Sequence, residues 1–374
     1  MIANTAIPSR MRAVVLESPR RLAVREIPVW PIESYGDPDL VLVKVRACGV
    51  CGSDFRYYAG ENPWAMHTLG RHVDNPPGIV LGHEFSGEVV AALDEKNAGL
   101  LGKRVAPVCS KVCGVCPDCR AGRTQLCQNT VHLGHGQGWG RREFYPGAYA
   151  EYAPAWGGGC YAIPDELSFG EAAMMDILAV CVHVAHQGDI QRGRPVLMMG
   201  AGPAGNGIAQ AARVLGAGRV VVTDIAAAPI DLARRSGFDA VVDARGKSPS
   251  ALAAELRAIA PDGFATVFDS VGGRASFDLG LGLLARKGTL VNMAVHDLDI
   301  PVNFLKLGSE RRITTSSNFA TGDYPIALSW LEAGRFKVRD WLTEIRLEDV
   351  PRLFAGAGAG GPHPFKAMIA AFEI

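Results

Sequence analysis

The chain has 374 residues, 48% hydrophobic and 20% charged, a globular composition long enough for two domains, perhaps three by length alone. Lys plus Arg is 38 and Asp plus Glu is 38, so there is no basic surplus with which to bind a nucleic acid. No apolar run is long enough for a membrane span, and MIANTAIPSRMR lacks the apolar centre of a signal peptide, so a cytoplasmic protein with no membrane partner is expected.

In chain order, residues 12–30 and 40–50 alternate and end in turn residues, which predicts strands. Residues 54–82 are rich in Gly and Pro and read as loop, and 82–93 as a further strand. Residues 107–147 are dense in Cys, Gly and Arg and read as an irregular lobe. A helix is expected over 166–188, with Ser168 as N-cap and Gly188 as the stop. Strands then alternate with helices: 196–200, 219–224, 240–244, 266–272 and 289–295, with helices over 203–217, 229–237, 250–260 and 277–288. That rhythm predicts an α/β unit, a parallel sheet with helices on both faces. From about residue 316 a helix (YPIALSWLEAGR) and short strands follow, and GAGAGGP (356–362) reads as a flexible loop.

Nine cysteines are too few for a disulfide scaffold, and their clustering points to metal. Cys113, Cys116, Cys119 and Cys127 fit C-x2-C-x2-C-x7-C, a spacing that wraps one tetrahedral zinc and leaves no open position, so the site would be structural. Free thiols and an iron–sulfur cluster are the alternatives. Lys111, Arg120 and Arg123 are too thin a basic patch for a nucleic-acid zinc ribbon, and Cys109 reads as a spare thiol. A second, dispersed site is suggested by Cys51 in GVCGSD and His83 in GHE. Asp54 can orient the imidazole, and Glu84 puts a carboxylate beside the metal. A third ligand must come from elsewhere if a catalytic position is to stay open. Cys48 and Cys51 also make a C-x2-C, but no thioredoxin-like βαβ surrounds them.

Gly200-Ala201-Gly202-Pro203-Ala204-Gly205 follows a predicted strand and opens a helix, the G-x-G-x-x-G dinucleotide fingerprint. The glycines allow the turn, the approach of a pyrophosphate and the packing of helix on strand, and the helix N-terminus faces the phosphates. Asp224 ends the next strand 24 residues after Gly200, close to the roughly 20 expected of a ribose-binding carboxylate. An acid there favours NAD over NADP. Arg234 and Arg235, a turn or two later, are the reservation. Val271, Gly272 and Val295 follow strands and are expected beside the nicotinamide.

Together GVCGSD (49–54), GHEFSGEVV (82–90), the four-cysteine lobe, GAGPAG (200–205) and VVVTD (220–224) resemble the zinc-dependent medium-chain alcohol and polyol dehydrogenases, in the family's order and spacing, over nearly the whole chain. The resemblance implies a GroES-like β-rich catalytic domain over 1–176 and 316–374, with the zinc lobe at about 107–130, and a Rossmann domain over 177–315. It implies NAD, two zinc ions per chain and a homodimer or homotetramer. It places a third zinc ligand in the joining helix, where Asp176 matches and Cys181 is the alternative. Glu84 resembles the family's zinc-proximal glutamate, which coordinates when water leaves. Ser53 resembles the hydroxyl that relays the substrate proton. The next relay position falls on Arg56, which cannot exchange a proton near neutrality; the relay then runs through ribose and water, or Arg56 contacts a phosphate.

The implied reaction is reversible oxidation of a secondary alcohol, such as a sugar alcohol or cyclitol, to a ketone. Threonine or a simple secondary alcohol is the alternative substrate, and a zinc-free reductase or a non-catalytic NAD- and zinc-binding scaffold the alternative class. The 57–79 segment, with Trp64, His67, Arg71 and His72, is either a surface loop or a wall of the substrate site. His132 and His135 lie in a second unusual stretch, 132–147, which could border that site; as loop histidines they need not be ligands.

Overall fold

The computed structural model describes residues 1–294, 299–358, 361 and 363–371. Val295 and part of the expected 356–362 loop lie outside them. The chain forms two compact units, Met1–Asp176 with Leu342–Ile374, and Ile177–Trp341.

The first unit is β-rich. Its main sheet runs Cys160–Ala162, Arg104–Pro107, Glu84–Ala92, Leu40–Gly49, Lys366–Ala371, Leu342–Arg346, with Ile2–Ala3 and Tyr152–Trp156 added alongside. A three-stranded sheet, Arg21–Pro28, Arg10–Ser18 and Ile79–Val80, stands beside it. Strand Leu40–Gly49 (LVLVKVRACG) is nearly all buried because it lies at the centre of one sheet and feeds one core with Val14, Val89, Tyr149 and Phe354. The 54–82 segment is more ordered than its Gly and Pro content suggests. Helices Gly52–Ala59 and Pro63–Leu69 form there. Asn62 caps the second, accepting from Ala65 N–H at 3.0 Å, and Trp64 is buried. Such a cap is worth about 1 kcal/mol.

In the second unit six parallel strands follow the order Ala240–Asp243, Arg219–Asp224, Pro195–Met199, Phe264–Asp269, Leu284–Asn292, Arg312–Thr315. In chain order that is 3-2-1-4-5-6, the doubly wound arrangement whose strand order reverses between the first and fourth strands. The expected 166–188 helix is two, Phe169–Ala173 and Met175–Gln187. Ser168 caps the first, in a reciprocal box with Glu171. The expected 277–288 helix ends at Leu283, and the fifth strand starts at once at Leu284.

The return to the first unit comes at Leu342 rather than 316. Helix Asp323–Glu332 stays with the second unit because Asp323 bonds His183 at 2.8 Å, and the Lys337 backbone exchanges hydrogen bonds with Gln210. Among the described residues, no helix is long and apolar enough to cross a membrane.

Candidate active site and metal centres

Strand Leu40–Gly49 delivers Cys51 to the N-cap of helix Gly52–Ala59. Asp54, three residues on, turns back so that its Oδ2 accepts from Cys51 N–H at 2.9 Å and from Tyr149 O–H at 2.7 Å. This fixes the fully buried carboxylate, and Asp54 Oδ1 lies 3.5 Å from His83 Nδ1. Burial opposes charge on His83, but Asp54 and Cys51 raise it well above its ordinary value. A cation is favoured at this point, whether proton or metal.

Cys51, His83 and Glu84 bring ligand atoms within 4.8 Å of one another, a sulfur, a nitrogen and a carboxylate oxygen of the kind zinc takes. Glu84 is fully buried and ion-paired with Lys366, itself 3% exposed. Glu84 Oε1 has no hydrogen-bond partner among the described residues, and neither has the buried Ser53 Oγ. These unanswered atoms fit a site built for a metal and an alcohol.

The structure does not bring Asp176 into this trio. Asp is one methylene shorter than Glu, and from helix Met175–Gln187 its carboxylate accepts instead from Cys109 Sγ–H at 3.0 Å. Burial raises the Asp176 carboxyl. Cys181 is committed to packing in the second unit, with its thiol on Ala204 O at 3.4 Å. Cys48 is buried, and all nine cysteines are free. Arg56 pairs with Glu61 and donates to Met66 Sδ at 3.5 Å.

His132 and His135, in the stretch expected to border the substrate site, lie beside His83. Gly134, at φ +76°, lies where a Cβ would stand 2.7 Å from Gly82 O, so the backbone between the two histidines packs directly on the residue before His83. His135 is 4.7 Å from His83 and 4.1 Å from His132 between ring centroids, and stacks on Tyr57. Burial, then His83, lowers His132 to about 3, and burial with both neighbouring imidazoles takes His135 well below its ordinary value. The signal available in sequence was the alternation of glycine in HLGHGQG, which permits such close packing.

In the lobe, Cys113, Cys116, Cys119 and Cys127 also bring their sulfurs within 4.8 Å. Backbone N–H groups of Cys113, Cys116 and Cys119 each point at a sulfur at 3.4 Å, as thiolates require. Backbone donors from Val115 and Cys116 pull the Cys113 thiol down to about 6. The donor set fits a closed zinc site.

In the second unit the glycine turn leaves the first strand at the reversal point. Gly200 has φ +94°, and a Cβ on Gly205 would stand 2.0 Å from Gly200 O, whereas one on Gly202 would meet nothing within 4 Å. The space at Gly202 is what a pyrophosphate needs. Pro203 and Ala204 begin helix Pro203–Val214. Asp224 accepts from Ala201, Ile225 and Ala226 N–H at 2.6–2.8 Å. A carboxylate offers about four lone-pair sites, so one remains for a ribose hydroxyl. Val271 and Gly272 follow the fourth strand, their N–H groups held by Asp269 at 2.9 and 3.0 Å.

A parallel sheet with this turn and a Cys–His–Glu centre define a dinucleotide-linked, metal-dependent oxidoreductase. Residues 37–165 match the alcohol dehydrogenase GroES-like domain, and 203–333 the zinc-binding dehydrogenase domain. The chain is 30% identical over 336 residues to a protein of Aspergillus clavatus named "Probable D-xylulose reductase A", covering 88% of this chain and 89% of that one. It is 28% identical to sorbitol dehydrogenase of Bacillus subtilis, covering 90% of each. Alcohol dehydrogenase TADH from Thermus sp. ATN1 superposes with a TM-score of 0.80 at 26% identity, covering 96% of this chain and 99% of that one. A zinc-binding dehydrogenase structure from Sinorhizobium meliloti, solved with NADP, gives 0.82 at 26%, covering 97% and 100%. The chain belongs to the zinc-dependent medium-chain alcohol and polyol dehydrogenase family. It is an oxidoreductase of CH–OH groups that uses a nicotinamide dinucleotide.

Proposed function

We propose that this enzyme oxidises a secondary alcohol of a neutral polyol, reversibly and with NAD, at a zinc ion held by Cys51, His83 and Glu84. The observation that carries the reading is the convergence of those three donors in the same unit as the unpartnered Ser53 hydroxyl. Three protein ligands leave a fourth position for the alcohol. When bound, zinc supplies Lewis acidity toward the alcohol oxygen and the dinucleotide supplies the hydride acceptor.

The chain's own groups prepare the rest. Ser53 Oγ accepts a hydrogen bond from the alcohol O–H and, as it takes that proton, passes its own hydrogen on to water or the cofactor ribose. Asp54 orients His83, and Lys366 balances Glu84. The Gly200–Gly205 turn and the start of its helix hold the pyrophosphate. Asp224 takes a ribose hydroxyl and repels a 2′-phosphate. Asp243, opposite it on the adjacent strand, adds a second acid, already paired with Arg245. Arg234 is engaged by Asp231, which supports NAD over NADP. Val271 and Gly272 are assigned to the nicotinamide side.

The polyol assignment draws on the relatives named for xylulose and sorbitol. A second zinc in the four-cysteine lobe, a cytoplasmic location in keeping with free thiols, and a homodimer or homotetramer complete the reading. The test crosses NAD and NADP with sugar alcohols, cyclitols, threonine and simple secondary alcohols, in the wild type and Cys51→Ala. NAD-linked polyol turnover that disappears in the variant is expected. Full turnover in Cys51→Ala would overturn the site.

A further inference from the structure

Two imidazoles beside the Cys51–His83–Glu84 trio have no part in the Ser53 step, and one of them, His135, also brings a ring nitrogen within 4.8 Å of ligand atoms of Asp54 and His83. His132 Nδ1 lies 2.8 Å from Leu133 O. A carbonyl can only accept, so Nδ1 carries the hydrogen and, in a neutral ring, Nε2 is an acceptor. The ring stacks on His135 at 4.1 Å and 16°, and its centroid is 6.0 Å from that of His83. Nε2 faces the Cys109 thiol at 3.6 Å, and that thiol has one hydrogen, directed to Asp176 Oδ1 at 3.0 Å. His132 Nε2 therefore competes with Asp176 for one thiol hydrogen.

His135 makes the same point from deeper in. It is 8% exposed, and neither ring nitrogen has a hydrogen-bond partner among the described residues. Its faces are covered by Tyr57 and His132, which leaves the nitrogen-bearing edge as the unanswered part. One N–H and one lone pair, both buried, match what a hydroxyl offers in return.

We propose that His132 and His135 are specificity-determining residues that hydrogen-bond the hydroxyl on the carbon next to the reacting carbinol, selecting neutral vicinal polyols over mono-alcohols. The proposal rests on alcohol binding at the Cys51–His83–Glu84 centre.

The test compares 2,3-butanediol with 2-butanol, which differ by one vicinal hydroxyl. Wild-type zinc-loaded enzyme is expected to prefer the diol by about tenfold or more in kcat/KM, the scale of one satisfied hydrogen bond. His132→Phe and His135→Phe keep the ring stack and remove the polar edge. Each is expected to raise KM for the diol about tenfold more than it raises KM for 2-butanol. His132→Gln, which keeps an acceptor, is expected to recover part of the loss. Calorimetric titration of 2,3-butanediol into the enzyme–NADH complex, with zinc content measured alongside, should show the same weakening without turnover.

Equal effects on both alcohols, or a wild type without preference, would overturn the histidine assignment while leaving alcohol oxidation intact. If zinc-loaded wild type oxidises no alcohol of the wider panel and calorimetry shows no diol binding, the functional reading itself falls.

Discussion

Lys366 and Glu84 form an ion pair almost sealed from solvent, with side chains 3% and 0% exposed. Burial opposes the ammonium charge, and Glu84 more than restores it. Lys366→Met would strand the Glu84 carboxylate. The metal-free protein is expected to lose about 3–5 kcal/mol, the usual cost of breaking a buried pair. The zinc-loaded protein should lose much less, because the dication supplies the missing charge. Thermal unfolding with and without chelator checks this, and equal losses in both forms would contradict the place of Glu84 beside the metal.

Asp224 both ties the glycine turn to its strand and presents a lone pair outward. Asp224→Ser should raise KM for NAD by about tenfold, one charge-assisted hydrogen bond, and narrow the NAD over NADP preference. Initial rates with both dinucleotides measure it. An unchanged preference would show that Asp224 does not read the ribose.

Cys127 is the most buried of the lobe's four sulfurs. Cys127→Ala should lower the zinc count by one and the melting temperature with it, because the lobe has little apolar core of its own. Retention of the full zinc complement would mean that the four cysteines do not share an ion.

Asp323 supplies a pH signature remote from the metals. Burial works against its charge, but His183, His186 and the Ala320 N–H outweigh it and hold the carboxyl well below its usual range. A depressed carboxylate stabilises the fold at pH above its unfolded value near 4, and the contribution is lost as pH falls toward the folded value. Asp323→Asn is expected to cost about 1–3 kcal/mol at neutral pH and to flatten the stability slope below about pH 4. Urea unfolding at pH 3 and pH 7 measures both. The same cost at both pH values would contradict the linkage.

The second unit was largely legible in the sequence because each parallel strand is a short apolar run between turn signals. The strand Arg219–Asp224 falls where RVVVTD places it. The four-cysteine lobe was legible because its ligand spacing is local, and the Cys51–His83 pair because each sits in a recognisable short motif, GVCGSD and GHE. Both carboxylates, Glu84 and Asp176, were legible as candidate ligands, but which one converges with Cys51 and His83 depends on reach from two different elements: Glu84 does, and Asp176 accepts from Cys109, a thiol that looked superfluous. The 132–147 stretch was legible as a border of the site, but the packing of His132 and His135 on His83 was not, because it depends on Gly134 meeting Gly82, a contact across 52 residues. The return at Leu342 was misplaced because helix Asp323–Glu332 is fixed by a histidine 140 residues upstream.

The central claim is that zinc sits on Cys51, His83 and Glu84 and that the alcohol is oxidised there. Zinc per chain and NAD-linked polyol turnover should be measured together in wild type, Glu84→Ala and Asp176→Ala. The account predicts two zinc ions and turnover in the wild type, one ion and lost turnover in Glu84→Ala, and two ions in Asp176→Ala. Loss of the ion from Asp176→Ala with its retention in Glu84→Ala would contradict it.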